Sequence, residues 1–158
     1  MQRSPITPEG HARLSAELKH AKSVERPAVV KQIEEARAHG DLSENAEYDA
    51  AKEKQGMLEA RIKWLEHLLA TAEVIDILEM PKSERVIFGT TVTLVDLDTE
   101  DEVAYRIVSD YEADVKEGKI SYSSPIGRAV IGKSEGDEVR VETPKGVRNL
   151  EIAEVEYK

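Results

Sequence analysis

From Tyr48 onward, a mostly apolar series stands alternately three and four residues apart: Tyr48, Ala51, Gln55, Leu58, Ile62, Leu65, Leu69 and Ala72. This is a heptad seam carried through more than three repeats. Charged residues such as Glu53, Lys54, Arg61, Lys63 and Glu66 lie off the seam, so the stripe must be buried against a second helix to leave water. The partner stands just upstream. Thr7-Pro8-Glu9 reads as a helix start, with threonine at the N-cap, proline at N1 and an acid in the first turn. Leu14, Leu18 and Ala21 mark one face. Pro27 removes a backbone donor, so a kink or restart is expected there. Val30, Ile33 and Arg37 resume the stripe, with Val29 and Ala36 alongside. His39-Gly40 ends the helix, glycine being the usual left-handed terminator. Each arm has about 30 residues, or roughly 45 Å at 1.5 Å per residue. Equal arms and a short link predict an antiparallel hairpin closed within one chain, hence a monomer, rather than a parallel dimer.

Beyond Met80 the period changes from helical to two. Val86–Phe88, Thr91–Val95, Val103–Val108, Val139–Glu142 and Leu150–Tyr157 read as strands. Asp98-Thr99-Glu100-Asp101 and Thr143-Pro144-Lys145-Gly146 read as turns. Ser124 to Gly132 reads as a short helix with a serine cap and proline at N1. Pro81-Lys82-Ser83 reads as a linker. The expected organisation is α+β: a hairpin over residues 1–78, followed by a small domain with a mostly antiparallel sheet over 79–158.

Charge and composition narrow the function. The net charge is -10, so tight binding to duplex nucleic acid by this chain alone is not expected; phosphate neutralisation needs clustered Lys and Arg. The chain has no cysteine, which excludes disulfides and thiolate metal sites and suits a reducing cytoplasm. No stretch approaches the roughly 20 apolar residues of a membrane span, and the start lacks the apolar run of a signal peptide. His11, His20, His39 and His67 are scattered along the helices without ligand spacing. No nucleophile elbow, phosphate loop or dinucleotide fingerprint is present.

The link between the arms, Asp41-Leu-Ser-Glu-Asn-Ala-Glu-Tyr-Asp49, carries four carboxylates and no base. Asp41 and Glu44 could hold a divalent cation, since Mg²⁺ is usually bound by one or two carboxylates plus water and substrate phosphates. A bare two-helix tip has no pocket of its own. Acids there would do chemistry only inside another molecule's cavity, where metal-assisted phosphoryl transfer is the reaction such ligands serve. The same residues have a purely structural reading. Asp41-x-x-Glu44 matches a capping box, and Ser43 is an alternative N-cap. Arg37 and Lys52 flank the tip, either steering a phosphate backbone or lying solvated and paired with Glu34 and Glu53. Tyr48 either stacks on a base or packs in the seam.

Ala38-His-Gly-Asp-Leu-Ser-Glu-Asn-Ala-Glu-Tyr48 resembles the signature of the Gre family of bacterial transcript-cleavage and elongation factors. The continuation Asp49 to Gly56 is similar to the GreA branch. Ser23 to Pro27, Val86 to Val92, Tyr105 to Val108 and Ser124 to Ala129 also fit, so the likeness runs over essentially the whole chain. The resemblance implies an N-terminal antiparallel coiled-coil hairpin and an FKBP-like α+β domain; the FKBP likeness does not imply prolyl isomerase activity. It implies an accessory factor rather than an enzyme, whose second domain docks on the rim of the RNA polymerase secondary channel while the hairpin enters it. By the same likeness, Asp41 helps hold a Mg²⁺ shared with the polymerase active centre and Glu44 orients or activates the attacking water. The nascent RNA 3′ end of a backtracked complex is then cut. Arg37 and Lys52 match the family's RNA-binding basic patch; lysine at 52, where arginine is familiar, keeps the charge but loses the fork. Docking is expected on the loop Ser121, Tyr122, Ser123, Ser124 and Pro125. The rival reading is a channel binder that does not promote cleavage.

Overall fold

The computed structural model describes residues 3–40 and 45–158. The chain divides into two compact units. One comprises residues 11–72, and the other comprises 3–10 together with 73–158. The first unit is a pair of helical arms. The first arm is α1 (Pro8–His20), a π turn (Ala21–Glu25) and α2 (Arg26–Arg37). The second arm is one uninterrupted helix, α3 (Ala46–Thr71). The division falls inside α1, whose first turn belongs to the second unit.

The irregularity expected at Pro27 lies just before it. Arg26 donates its backbone N–H to the carbonyl of Ala21, five residues back. Proline can neither donate in the helix nor tolerate the carbonyl four residues behind it. Widening the preceding turn accommodates the ring, and Pro27 then sits in the first turn of α2, where a missing donor is harmless. The widened turn inserts one residue into the repeat. The buried positions of the arm are therefore Leu14, Ala21, Val29, Ile33 and Ala36. The expected stripe through Val30 and Arg37 is off by one: Val30 is 41% exposed. In α3 the seam holds at Ala51, Ile62 and Leu65, then passes to Leu68 and Thr71 instead of Leu69 and Ala72. Steps of three without a compensating four carry the buried face around a 3.6-residue helix.

Ion pairs fix the antiparallel register. Arg26 makes two hydrogen bonds to Glu59, at 2.9 and 2.8 Å. Arg61 reaches Glu17 at 2.8 Å and lies over the Trp64 ring. Lys22 pairs with Glu66 at 3.7 Å.

The second unit holds a five-stranded sheet in the order β5-β4-β3-β7-β6. The strands are β3 (Thr91–Asp96), β4 (Glu102–Val108), β5 (Lys119–Ser121), β6 (Glu138–Thr143) and β7 (Gly146–Glu156). All neighbours are antiparallel except β4 and β5. The register of β3 on β7 shifts between Thr93 and Leu94. This bulge lets Leu150, Ile152 and Val155 all reach the core despite their uneven spacing. The short helix α4 (Pro125–Val130) is capped by Ser124, as expected. The expected strand Val86–Phe88 is not one: beside an isolated bridge of Arg85 to Ser134, Val86 donates to Lys133 O at 2.8 Å and accepts from Gly132 N–H at 2.9 Å without joining the sheet. Val86 is nevertheless fully buried.

The unit boundary differs from the expected 78/79. Strands β1 (Ser4–Ile6) and β2 (Ala72–Val74) pair with each other. Ile77, inside the expected hairpin range 1–78, is 2% exposed in the same core as Val86, Leu94 and Ile152. A buried apolar side chain joins the core that surrounds it, whatever the helical pattern before it. No helix among the described residues is long and apolar enough to cross a membrane.

The phase of the seam is testable. Val29→Ala should cost about 2 kcal/mol of hairpin stability, and Val30→Ala less than about 0.5 kcal/mol. Denaturant titrations followed by helical circular dichroism would separate the two; equal costs would place the π turn elsewhere.

Candidate functional site at the hairpin tip

Asp41, Ser43 and Glu44 lie outside the described residues. The residues on either side define how the arms end. α2 stops at Arg37, and the last turn closes with Ala38 N–H to Glu34 O at 3.2 Å and Gly40 N–H to Arg37 O at 3.1 Å. Gly40 has φ of 101°, the left-handed conformation foreseen for it.

The start of α3 corrects the capping-box reading. Its N-cap is Asn45, whose Oδ1 accepts from the Tyr48 N–H at 3.1 Å. The amide of Asn45 also works across the hairpin: Nδ2 donates to the Ala36 carbonyl at 2.6 Å. One side chain therefore satisfies an orphan donor of α3 and an orphan acceptor near the end of α2. The sequence contains the signal, since asparagine is among the best N-caps and is followed by Glu47 and Asp49 in the first turn.

Arg37 and Lys52 are both exposed. Lys52 Nζ donates to Gln55 at 3.1 Å instead of pairing with Glu53. Arg37 makes no ion pair with Glu34 among the described residues. Tyr48 packs against the cluster of Val29, Ile33 and Ala51, as its seam position suggested. His39 Nε2 stands 3.4 Å from Glu47, so the two arms also face each other through side chains beside the tip.

The loop read as a docking element has a defined internal structure. Tyr122 packs edge-on to Phe88, with ring centroids 5.9 Å apart. Ser124 accepts from Gly127 N–H at 3.1 Å and donates to the Ser121 carbonyl at 2.7 Å. Ser123 and Pro125 are exposed. Asp110, which the sequence reading passed over, accepts from the hydroxyls of both Ser121 and Ser123. Those hydrogen bonds, Ser121's first, hold the Asp110 carboxyl below its ordinary range, against a smaller effect of burial.

The Transcription elongation factor, N-terminal family model matches residues 4–74. The Transcription elongation factor, GreA/GreB, C-term model matches residues 80–157. A protein of Hyphomonas neptunium named transcription elongation factor GreA is 60% identical over 158 residues, all of both chains. Proteins of the same name from Psychrobacter cryohalolentis and Neisseria meningitidis are 59% and 55% identical, each over 99% of both chains. Among solved structures, GreA factor homolog 1 of Thermus thermophilus is 29% identical, covering 98% of this chain and 99% of its own, at a TM-score of 0.44.

Asn45→Ala should destabilise the hairpin by about 1 kcal/mol, and Asn45→Asp should keep the cap while losing the bond to Ala36. Thermal melts of the two variants should therefore fall in the order wild type, Asn45→Asp, Asn45→Ala. Asp110 gives a pH dependence. Because its folded pKa is lowered, its contribution to stability is complete above about pH 3.9 and is lost as pH falls through the folded value. An NMR carboxyl titration should place its midpoint below the ordinary aspartate value, and Asp110→Asn should lack that part of the acid-side loss.

Proposed function

This chain belongs to the GreA/GreB family of transcription elongation factors, and on that premise we propose that it acts by lending its tip carboxylates to the active centre of RNA polymerase. It is an accessory factor and not a self-sufficient nuclease. The hairpin enters the secondary channel, and Asp41 and Glu44 promote cleavage of backtracked RNA near its 3′ end. What supports this reading is the match of both family models, over residues 4–74 and 80–157, to a chain whose link carries Asp41 and Glu44. Asn45 performs the folding task that the sequence had also offered to Asp41 and Ser43.

The donor chemistry fits Mg²⁺. Carboxylates are hard oxygen ligands, and one or two of them with water and phosphate oxygens make the usual shell for this ion. Asp41 would hold the ion jointly with polymerase groups. When bound, Mg²⁺ polarises a phosphoryl oxygen and makes a bound water more acidic. Glu44 would accept a hydrogen bond from the attacking water, orienting it and drawing off its proton. Arg37 and Lys52 would attract the RNA backbone toward the acids; each is an exposed cation without an acidic partner among the described residues. The Ser121–Pro125 loop would dock on the channel rim, with its exposed Ser123 and Pro125 as the contacting side chains.

Stalled, backtracked complexes of the cognate polymerase with labelled RNA and Mg²⁺ test the proposal. Wild type should accelerate 3′-end cleavage, and Asp41→Asn should lose at least about 100-fold of that acceleration while still competing for the polymerase. Equal cleavage by both would remove Asp41 from the site. Binding without cleavage by either would instead indicate a channel-blocking regulator.

A further inference from the structure

A four-residue turn, Ser109 to Glu112, holds two segments that the proposed function needs in register. Glu112 N–H closes the turn on Ser109 O at 3.1 Å. The turn carries two carboxylates, and each grips a different part of the second unit. Asp110 Oδ1 accepts from the hydroxyls of Ser121 and Ser123, the latter at 2.6 Å. Tyr122 N–H to Val108 O, at 2.9 Å, adds a backbone tie to the same loop.

Glu112 grips the root of α1. Its Oε2 accepts from Ser109 N–H at 3.2 Å, Ser109 Oγ at 2.7 Å and Thr7 N–H at 3.3 Å. Its Oε1 accepts from the Thr7 hydroxyl. Thr7 in turn caps α1 by accepting from Gly10 N–H at 3.1 Å. The arrangement is enclosed: Thr7 and Ser109 are each 1% exposed and Glu112 is 6% exposed. A charge removed from water persists only where several donors replace its solvation. Gly10 belongs to the same fit, because a Cβ there would stand 2.2 Å from Glu112 Oε1. Arg106 of β4 adds a second hold on this first turn, reaching Glu9 at 3.2 Å.

We infer that the Ser109–Glu112 turn is a bracket joining the docking loop to the root of the first arm, with Asp110 and Glu112 as positioning residues for transcript cleavage. The inference rests on the function proposed above and adds two residues to it. Neither carboxylate touches RNA or metal. Asp110 sets the shape of the docking loop, and Glu112 sets where and how firmly α1 starts. Firmness matters because the arm is long. Slack in the first turn of α1 is carried into whatever length of helix follows it. Misplacement of about 1 Å can cost 100-fold in a positioned reaction.

The two carboxylates should separate kinetically. In cleavage assays titrated with full-length factor, Glu112→Gln and Gly10→Ala should lower the maximal rate at least 10-fold while shifting the half-saturating concentration less than about 2-fold. Gly10→Ala removes no hydrogen-bonding group and acts by expelling the carboxylate. The effect of Asp110→Asn should appear instead in the half-saturating concentration, raised at least 5-fold. Hydrogen exchange of the Gly10–Arg13 amides should quicken in Glu112→Gln and not in Asp110→Asn. If Glu112→Gln fails to fold, Gly10→Ala carries the same comparison, with Thr7→Val, which deletes both a donor to Glu112 and the α1 cap, beside it. The inference is overturned if the Glu112→Gln and Gly10→Ala maximal rates match wild type, or if added factor fully restores them. Asp41→Asn run alongside keeps the two levels apart. An inactive wild type sinks the proposed function itself. An active wild type, a dead Asp41→Asn and a normal Glu112→Gln sink only the bracket.

Discussion

Each arm of the helical unit has one face to bury, and the other arm is what it buries it against. Near the tip the buried side chains are Val29, Ile33, Ala36 and Ala51, two of the four being alanine. Further along α3 come Ile62, Leu65 and Leu68. So thin a core depends on phase. A one-residue error moves an apolar side chain to the surface, as the contrast between Val29 and its exposed neighbour Val30 shows. The π turn supplies the phase. It adds a residue between Ala21 and Val29, and Pro27 follows in the first turn of the next helix, where its missing donor is harmless. The ion pairs of Arg26 with Glu59 and Arg61 with Glu17 are partly solvated, so each contributes little to stability. They exclude wrong registers, because a slip of one turn separates the charges.

Asn45 has weight out of proportion to its size for the same reason. Where packing is thinnest, its amide ties the start of α3 to the Ala36 carbonyl at the end of α2. A donor and an acceptor on one short side chain close the hairpin with little apolar area. An aspartate could cap the helix but could not donate, and a serine could not readily reach both groups. The geometry thus asks for asparagine on grounds of folding alone.

Much of the architecture is legible in the residues because local rules govern it. Thr7-Pro8-Glu9 and Ser124-Pro125 start helices, Gly40 ends one, and the change of period after Met80 marks the sheet. Other features depend on contacts that no local pattern encodes. The phase slip after Ala21 follows from how the chain accommodates Pro27, which propensity leaves as a kink or restart. Strand β5 has three residues and exists through its parallel pairing with β4. Residues 4–10 join the second unit through Ile6, Thr7 and Glu112, about a hundred residues away. The candidate site divides along the same line. Its acids are visible through their resemblance to a family signature, whereas Asn45, Asp110 and Glu112 emerge only when distant groups are seen to touch.

The bracket and the cap solve one physical problem at opposite ends of a long arm. If the link carries the proposed chemistry, its accuracy depends on how firmly α1 is held at its start and on how the arms are closed by Asn45. A buried carboxylate with four donors suits the root, because loosening any one donor leaves charge poorly solvated and the arrangement resists small deformations. A bidentate amide suits the far end, where there is no room for a core.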